Sequence, residues 1–230
     1  MPVLNPKTRV ALIFDDGFVK STLATAALFE EFGLRAAFAV LANPAGFAPR
    51  FTVGDFGLWN ELKSRGHIIH PHGFTHANLE SMSYPDATDE MKRALAVFNE
   101  KLHGFDAAQA VWCFAYNRAT PALSAWLLAR LGAARVGGSG MLTKSEVESR
   151  IWHSTTFGPE DPGTDLMDHL TRARNERPAA LVYCLHGLDG EAWGAIAKDR
   201  LRRALEVITT DDTLEYWQIK GPSQVEKAVI

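Results

Sequence analysis

Cysteine is nearly absent: there are two in 230 residues, Cys113 and Cys184, each inside an apolar stretch that reads as a strand. So small a supply excludes a disulfide-built scaffold and suits a reducing compartment. Thiols set in apolar strands are read as buried packing and not as ligands. Long apolar runs are missing too, every one falling well short of the roughly 20 residues that cross a bilayer. The opening from Met1 to Thr8 has neither the basic start nor the continuous apolar core of an export signal. The sequence therefore predicts a cytoplasmic protein with no membrane span. An excess of one charge is also lacking, since 24 Lys and Arg stand against 27 Asp and Glu for a net charge of -3. The basic residues are scattered, which excludes the concentrated positive face that nucleic acid or an anionic membrane requires. No repeat, low-complexity tract or Gly- or Ser-rich linker divides the chain.

What is present is apolar material, 47% of residues, in an alternating rhythm. Arg9 to Phe14 reads as a buried strand, Lys20 to Phe32 as an amphipathic helix ended by Gly33, and Leu34 to Leu41 as a second strand. Trp59 to Arg65 is helical and stops at Gly66, and His67 to His70 is short and strand-like. Asp86 to His103 has helical spacing, and Ala110 to Tyr116 is extended. Thr120 caps a helix that begins at Pro121 and runs to Leu131. Ala134 to Val136, Arg150 to Thr155, Ala179 to Leu185 and Leu214 to Ile219 read as later strands. Helices at Asp165 to Arg174 and Ala197 to Val207 separate the last three. Gly221 to Ile230 reads as a packed helix or an interface element. This βαβα order predicts parallel strands covered by helices, in one α/β domain over residues 1–230. About eight strand signals favour a compact barrel over an open sheet.

The chemistry-bearing residues sit where these strands end. Asp15 and Asp16 follow Ala11-Leu12-Ile13-Phe14, and Gly17 then permits a sharp turn. Adjacent carboxylates repel unless a cation lies near them; the alternative is that the pair caps the helix starting near Lys20. His72 and His76 stand four apart in a segment, His67 to His76, that holds four of the eight histidines. Two imidazoles and a carboxylate suit zinc and neighbouring transition metals and leave coordination positions open. His186 ends another apolar strand just before Gly187, and an imidazole there is suited to proton transfer.

Together these stretches resemble the polysaccharide deacetylases of the NodB-homology type, carbohydrate esterase family 4. Phe14-Asp15-Asp16-Gly17 is similar to that family's first motif, and Gly66 to His76 to its second. Trp112-Cys113-Phe114-Ala115-Tyr116-Asn117 is similar to the third, and Leu185-His186-Gly187 to the fifth. The resemblance implies a distorted (β/α) barrel of seven or eight mostly parallel strands. It also implies that Asp15 is the catalytic base, that Asp16, His72 and His76 hold one divalent metal ion, that Tyr116 gives a backbone N–H to an oxyanion hole, and that His186 is the general acid. The metal expected is zinc, with cobalt, nickel or manganese as alternatives. The substrate expected is an N-acetylated or N-formylated aminosugar, such as a precursor of O-antigen or lipopolysaccharide, or a related non-sugar amide. Two departures stand out. The third motif lacks the Arg that holds the base, for which Arg118 and Lys20 are candidates by proximity in sequence. The fourth, an Asp-Trp pair, has no clean match, although Trp152 and Asp161 lie in its region. The missing Arg prompts a second reading, a metal-containing carbohydrate-binding protein without turnover.

Overall fold

The computed structural model describes residues 6–222, so the expectation for Gly221 to Ile230 falls, from residue 223 on, outside the described residues. In chain order the elements are β1 (Thr8–Asp16), α1 (Val19–Glu31), β2 (Ala37–Val40), α2 (Phe56–Ser64), β3 (Ile68–Pro71), α3 (Tyr84–Lys101), β4 (Val111–Cys113), α4 (Pro121–Leu128), β5 (Ala133–Gly137), β6 (Met141–Leu142), α5 (Lys144–Glu148), β7 (Ile151–Thr156), α6 (Gly163–Glu176), β8 (Ala180–Leu185), α7 (Lys198–Thr210) and β9 (Leu214–Tyr216). Seven strands form the path β3-β2-β1-β8-β7-β5-β4, each paired in parallel with its neighbours. The result is the expected α/β architecture, a nearly closed parallel barrel wrapped by helices. Two short strands complete it at the end opposite the site: β9 pairs in parallel with the start of β1, and β6 pairs antiparallel with the start of β8.

Side chains alternate across the barrel wall, because successive residues of a strand point to opposite faces. Ala11, Ile13, Ala37, Ala39, Val111, Ala133, Trp152, Ala180 and Val182 fill the interior. The intervening Val10, Leu12, Phe14, Phe38, Leu181 and Tyr183 pack outward against the helices. Small residues inside let the ring close tightly. Carried one step further along each strand, the inward register reaches Asp15, Cys113, Arg135 and Cys184, all buried.

β3 and β4, the two ends of the path, share no backbone ladder. Imidazoles span the seam instead. His70 Nδ1 accepts from the Val111 N–H at 3.3 Å, His70 Nε2 meets the Ile219 carbonyl at 3.0 Å, and His72 Nδ1 meets the Cys113 carbonyl at 2.8 Å.

The observed elements follow the sequence reading with local differences. Thr120 caps α4 as expected, accepting from the Leu123 N–H. β2 is shorter than the run from Leu34 to Leu41, and β4 ends at Cys113, followed by a single 3-10 turn over Ala115–Asn117. β6 and α5 were not legible; at two and five residues, they are too short to show a period. No described helix is long and apolar enough to cross a membrane.

Candidate active site

All six predicted site residues gather at the C-terminal ends of the barrel strands, around one cleft of about 570 Å³. Asp15 and Asp16 are the last residues of β1. The chain turns there because Asp16 and Gly17 both take left-handed backbone, at φ 76° and 78°. A Cβ on Gly17 would lie 2.8 Å from the Trp59 ring, so glycine is needed for space as well as for conformation. The helix-capping alternative fails: Phe18 occupies the N-cap of α1, and no side chain caps it.

Asp15 is 3% exposed. Its Oδ2 accepts from Arg135 Nη2 at 2.6 Å and from the Cys184 thiol at 3.2 Å, while Oδ1 has no hydrogen-bond partner. Burial alone would raise its pKa. The Arg135 guanidinium, helped by His72, His186 and the thiol, outweighs burial and holds the carboxyl below its ordinary value. Asp15 is therefore an ionised carboxylate with one oxygen anchored and one free.

Arg135 is the cation absent from the third motif. It comes from β5, paired through Cys113 with β4, and is fully buried. Neither sequence candidate takes this place: Arg118 pairs with Glu80 at 3.4 Å on the surface, and Lys20 is exposed. The signal was present in the sequence, since a charge amid Ala133, Ala134 and Val136 in a buried strand demands a buried partner.

Asp16 Oδ1 is buried without a hydrogen-bond partner and lies 3.4 Å from both His72 Nε2 and His76 Nε2. Ligand atoms from the three residues all fall within 4.8 Å of one another. His72 Nδ1 faces the Cys113 carbonyl at 2.8 Å, which orients the ring so that Nε2 faces Asp16. Burial and the neighbouring His72 push the pKa of His76 down to about 4, so it is neutral at ordinary pH. An orphaned carboxylate oxygen between two imidazole nitrogens fits a divalent cation. His67 and His70, from the same segment, lie elsewhere: His67 accepts from the Ala36 N–H, and His70 serves the seam.

His186 follows β8 directly and lines the cleft with its Nδ1 unpartnered. Burial lowers its pKa against the opposing pull of Asp15 and Asp16. The ring lies edge-on to Trp193, with centroids 5.2 Å apart. Tyr116 and Asn117 take left-handed backbone at φ 57° and 58°, bending the chain over the cleft after β4, and the Tyr116 ring lies 4.8 Å from His76. The fourth-motif candidates do not reach the cleft. Trp152 is buried against Trp217, and Asp161 binds the Gly163 and Ala197 N–H groups. Trp193 stands by His186 instead, from the loop after β8, a segment the sequence reading left unassigned. Cys113 and Cys184 are buried free thiols, as expected. Burial drives the pKa of Cys113 up to about 12 and that of Cys184 well above the ordinary thiol value.

A family model described as polysaccharide deacetylase matches residues 4–133, more than half of the 230. No curated protein matches the chain. Among solved structures, a Mycobacterium smegmatis protein assigned to the polysaccharide deacetylases aligns with a TM-score of 0.66 at 15% identity, covering 100% of this chain and 92% of that one. The family 4 carbohydrate esterase from Streptomyces lividans, in complex with acetate, aligns at 0.56 and 17% identity, covering 89% and 91%. A mutant of peptidoglycan deacetylase PdaC from Bacillus subtilis aligns at 0.57 and 13% identity, covering 91% and 87%. At these identities the structures speak for the fold.

Proposed function

Because the chain belongs to the polysaccharide deacetylase family, hydrolases of carbon–nitrogen bonds outside peptides, we propose that it removes an N-acyl group, acetyl or formyl, from an aminosugar. The observation that carries this reading is the grouping of Asp16, His72 and His76 beside the free oxygen of Asp15, with His186 in the same cleft.

In this reading Asp16, His72 and His76 hold one divalent cation, zinc by preference for two imidazoles and a carboxylate. When bound, the cation supplies Lewis acidity toward an amide carbonyl and the attacking water. Asp15 takes a proton from that water through its free Oδ1, while Arg135 and Cys184 keep the carboxylate from rotating away. The Tyr116 backbone N–H donates to the oxyanion that develops as water adds to the acyl carbon; donors of this kind are worth roughly 3 kcal/mol in other enzymes. His186 gives a proton to the departing nitrogen. The C–N bond breaks to leave a carboxylate and a free amine.

The alternative of a binding protein without turnover was motivated by the missing Arg, and Arg135 removes that motive. We further propose that residues 1–230 form one catalytic domain, that the protein works in the cytoplasm, and that its substrate is a glycan precursor such as one for O-antigen or lipopolysaccharide. The unpaired thiols support the location, and the location in turn supports a precursor over finished polymer.

The test is metal content of the purified protein together with acyl release from N-acetylated and N-formylated aminosugars. About one zinc, cobalt, nickel or manganese ion per chain is expected, lost in Asp16→Ala and in the double variant His72→Ala, His76→Ala, with acyl release lost in parallel. Wild-type protein that takes up no metal after reconstitution overturns the reading.

A further inference from the structure

The site carries more aromatic surface than its proposed chemistry uses. Beyond the acid, base and metal-binding side chains, the cleft is lined by Phe18, Phe47, Phe51, Tyr116 and Trp193 against only three polar residues, Asn117, Arg118 and Thr156. The phenylalanines form a continuous apolar wall. Phe18 stacks on Phe47 at 6.2 Å and meets Phe51 edge-on at 5.2 Å, and Phe47 lies 4.6 Å from the His76 ring. The loop bearing Phe47 and Phe51 is tied down at both ends. Ala42 and Asn43 N–H groups bond the Gly73 and Phe74 carbonyls, and Gly54 N–H bonds the Gly17 carbonyl.

Several of these rings face water. Phe51 is 37% exposed, Tyr116 58% and Trp193 51%, and they are three of the six large exposed apolar side chains among the described residues. Exposed rings gathered at the mouth of a cleft mark a surface that a ligand covers. The wall also lacks charge. Arg118 is the one Lys or Arg of this lining, paired with Glu80 at 3.4 Å on the surface, and Lys20 and Arg50 border the neighbouring groove rather than the wall itself. The polar lining comes from the strands after and across from the apolar loop. Asn117 Oδ1 and Thr156 Oγ1 are both buried without partners in the cleft. Gly137 makes the seat for Asn117, because a Cβ there would lie 2.8 Å from the Asn117 Cβ.

We propose that the substrate is an amphipathic aminosugar. Its sugar edge meets Asn117 and Thr156, and an apolar group attached to it, alkyl or aryl, lies against Phe51 and Trp193. A polysaccharide strand could stack single sugar faces on these rings, but its hydroxyl groups would meet no side-chain partner along Phe18, Phe47 and Phe51. The inference rests on the deacylase reading for its chemistry, but the apolar wall can be tested separately.

The experiment compares methyl, octyl and 4-nitrophenyl glycosides of N-acetylglucosamine with chitotetraose, keeping the octyl glycoside below its micelle threshold. Acetate release and direct binding by calorimetry are both read on metal-reconstituted protein. The expected result is a kcat/KM at least roughly tenfold higher for the octyl or nitrophenyl glycoside than for the methyl glycoside, carried mostly in KM. That ratio falls toward one in Phe51→Ser and in Trp193→Ser. Equal values for the methyl and apolar glycosides, or chitotetraose ahead of all three with the ratio unmoved in the variants, overturn the inference and leave the deacylase reading standing. If no glycoside releases acetate but the octyl glycoside still binds about tenfold tighter than the methyl one, and that preference is lost in Phe51→Ser, the deacylase reading falls and the apolar wall stands. No release and no binding preference overturns both.

Discussion

Asp15 and Arg135 are 120 residues apart in sequence and joined at 2.6 Å. Removing one partner of a fully buried ion pair leaves the other charge without compensation, at a cost of about 3–5 kcal/mol. Arg135→Met is therefore expected to lower the denaturation midpoint sharply, and the double variant Asp15→Asn, Arg135→Met to recover much of that loss while remaining inactive. Urea unfolding beside an acyl-release assay checks both; an Arg135→Met protein as stable and active as the wild type would remove Arg135 from the site. Arg135→Lys keeps the charge but loses the planar fork, so its stability should fall less than that of Arg135→Met while its kcat still drops. At this scale the sequence exposed the residues whose neighbours in the chain announce them, such as Asp15 and Asp16 before Gly17, or His72 and His76 in a histidine-rich segment. It marked Arg135 as a charge in a buried strand but hid its partner, chosen by the order of strands around the ring, and it hid Trp193, placed by the path of one loop.

At the scale of elements, the sequence carried the strands and helices because each alternates or repeats in a way that matches its burial, as β1 does with Ala11, Ile13 and Asp15 inside and Val10, Leu12 and Phe14 outside. It could not show which two strands would lack a ladder, since pairing is a long-range property. That junction is where His70 works, with both ring nitrogens engaged. His70→Leu keeps an apolar bulk but strands the Val111 N–H and the Ile219 carbonyl. A loss of about 1–3 kcal/mol is expected from such buried unpaired groups, with faster amide exchange at Val111. An unchanged midpoint would mean that the seam holds without the imidazole.

For the whole molecule, Glu30 offers a pH signature remote from the cleft. It joins α1 to the segment between α2 and β3 through Arg65 at 2.8 Å and His67 at 3.1 Å. The hydrogen bonds from Arg65, with help from His67, pull its pKa from 4.5 to about 2. A carboxyl whose pKa is depressed on folding stabilises fully above its unfolded value and loses that effect as pH falls toward its folded value. Glu30→Gln should thus melt below the wild type at pH 6, and the gap should close between pH 4.5 and about 2. A gap independent of pH would assign the difference to packing. The barrel itself was legible from the βαβα order; its near-closure depended on Ala37, Ala39, Ala133 and Ala180 being small enough to let opposite walls meet, which composition alone does not reveal.

The seam has one more consequence. A sheet rolled until its two borders face each other still owns those borders, and an uncovered border is a template on which a foreign strand can grow. The Val111 N–H and the Cys113 carbonyl, the groups an incoming strand would use, are occupied by His70 and His72. These imidazoles thus cover the border groups as well as fasten the seam. Seam variants should therefore fail by clumping, with light scattering that rises with protein concentration, before they fail by melting.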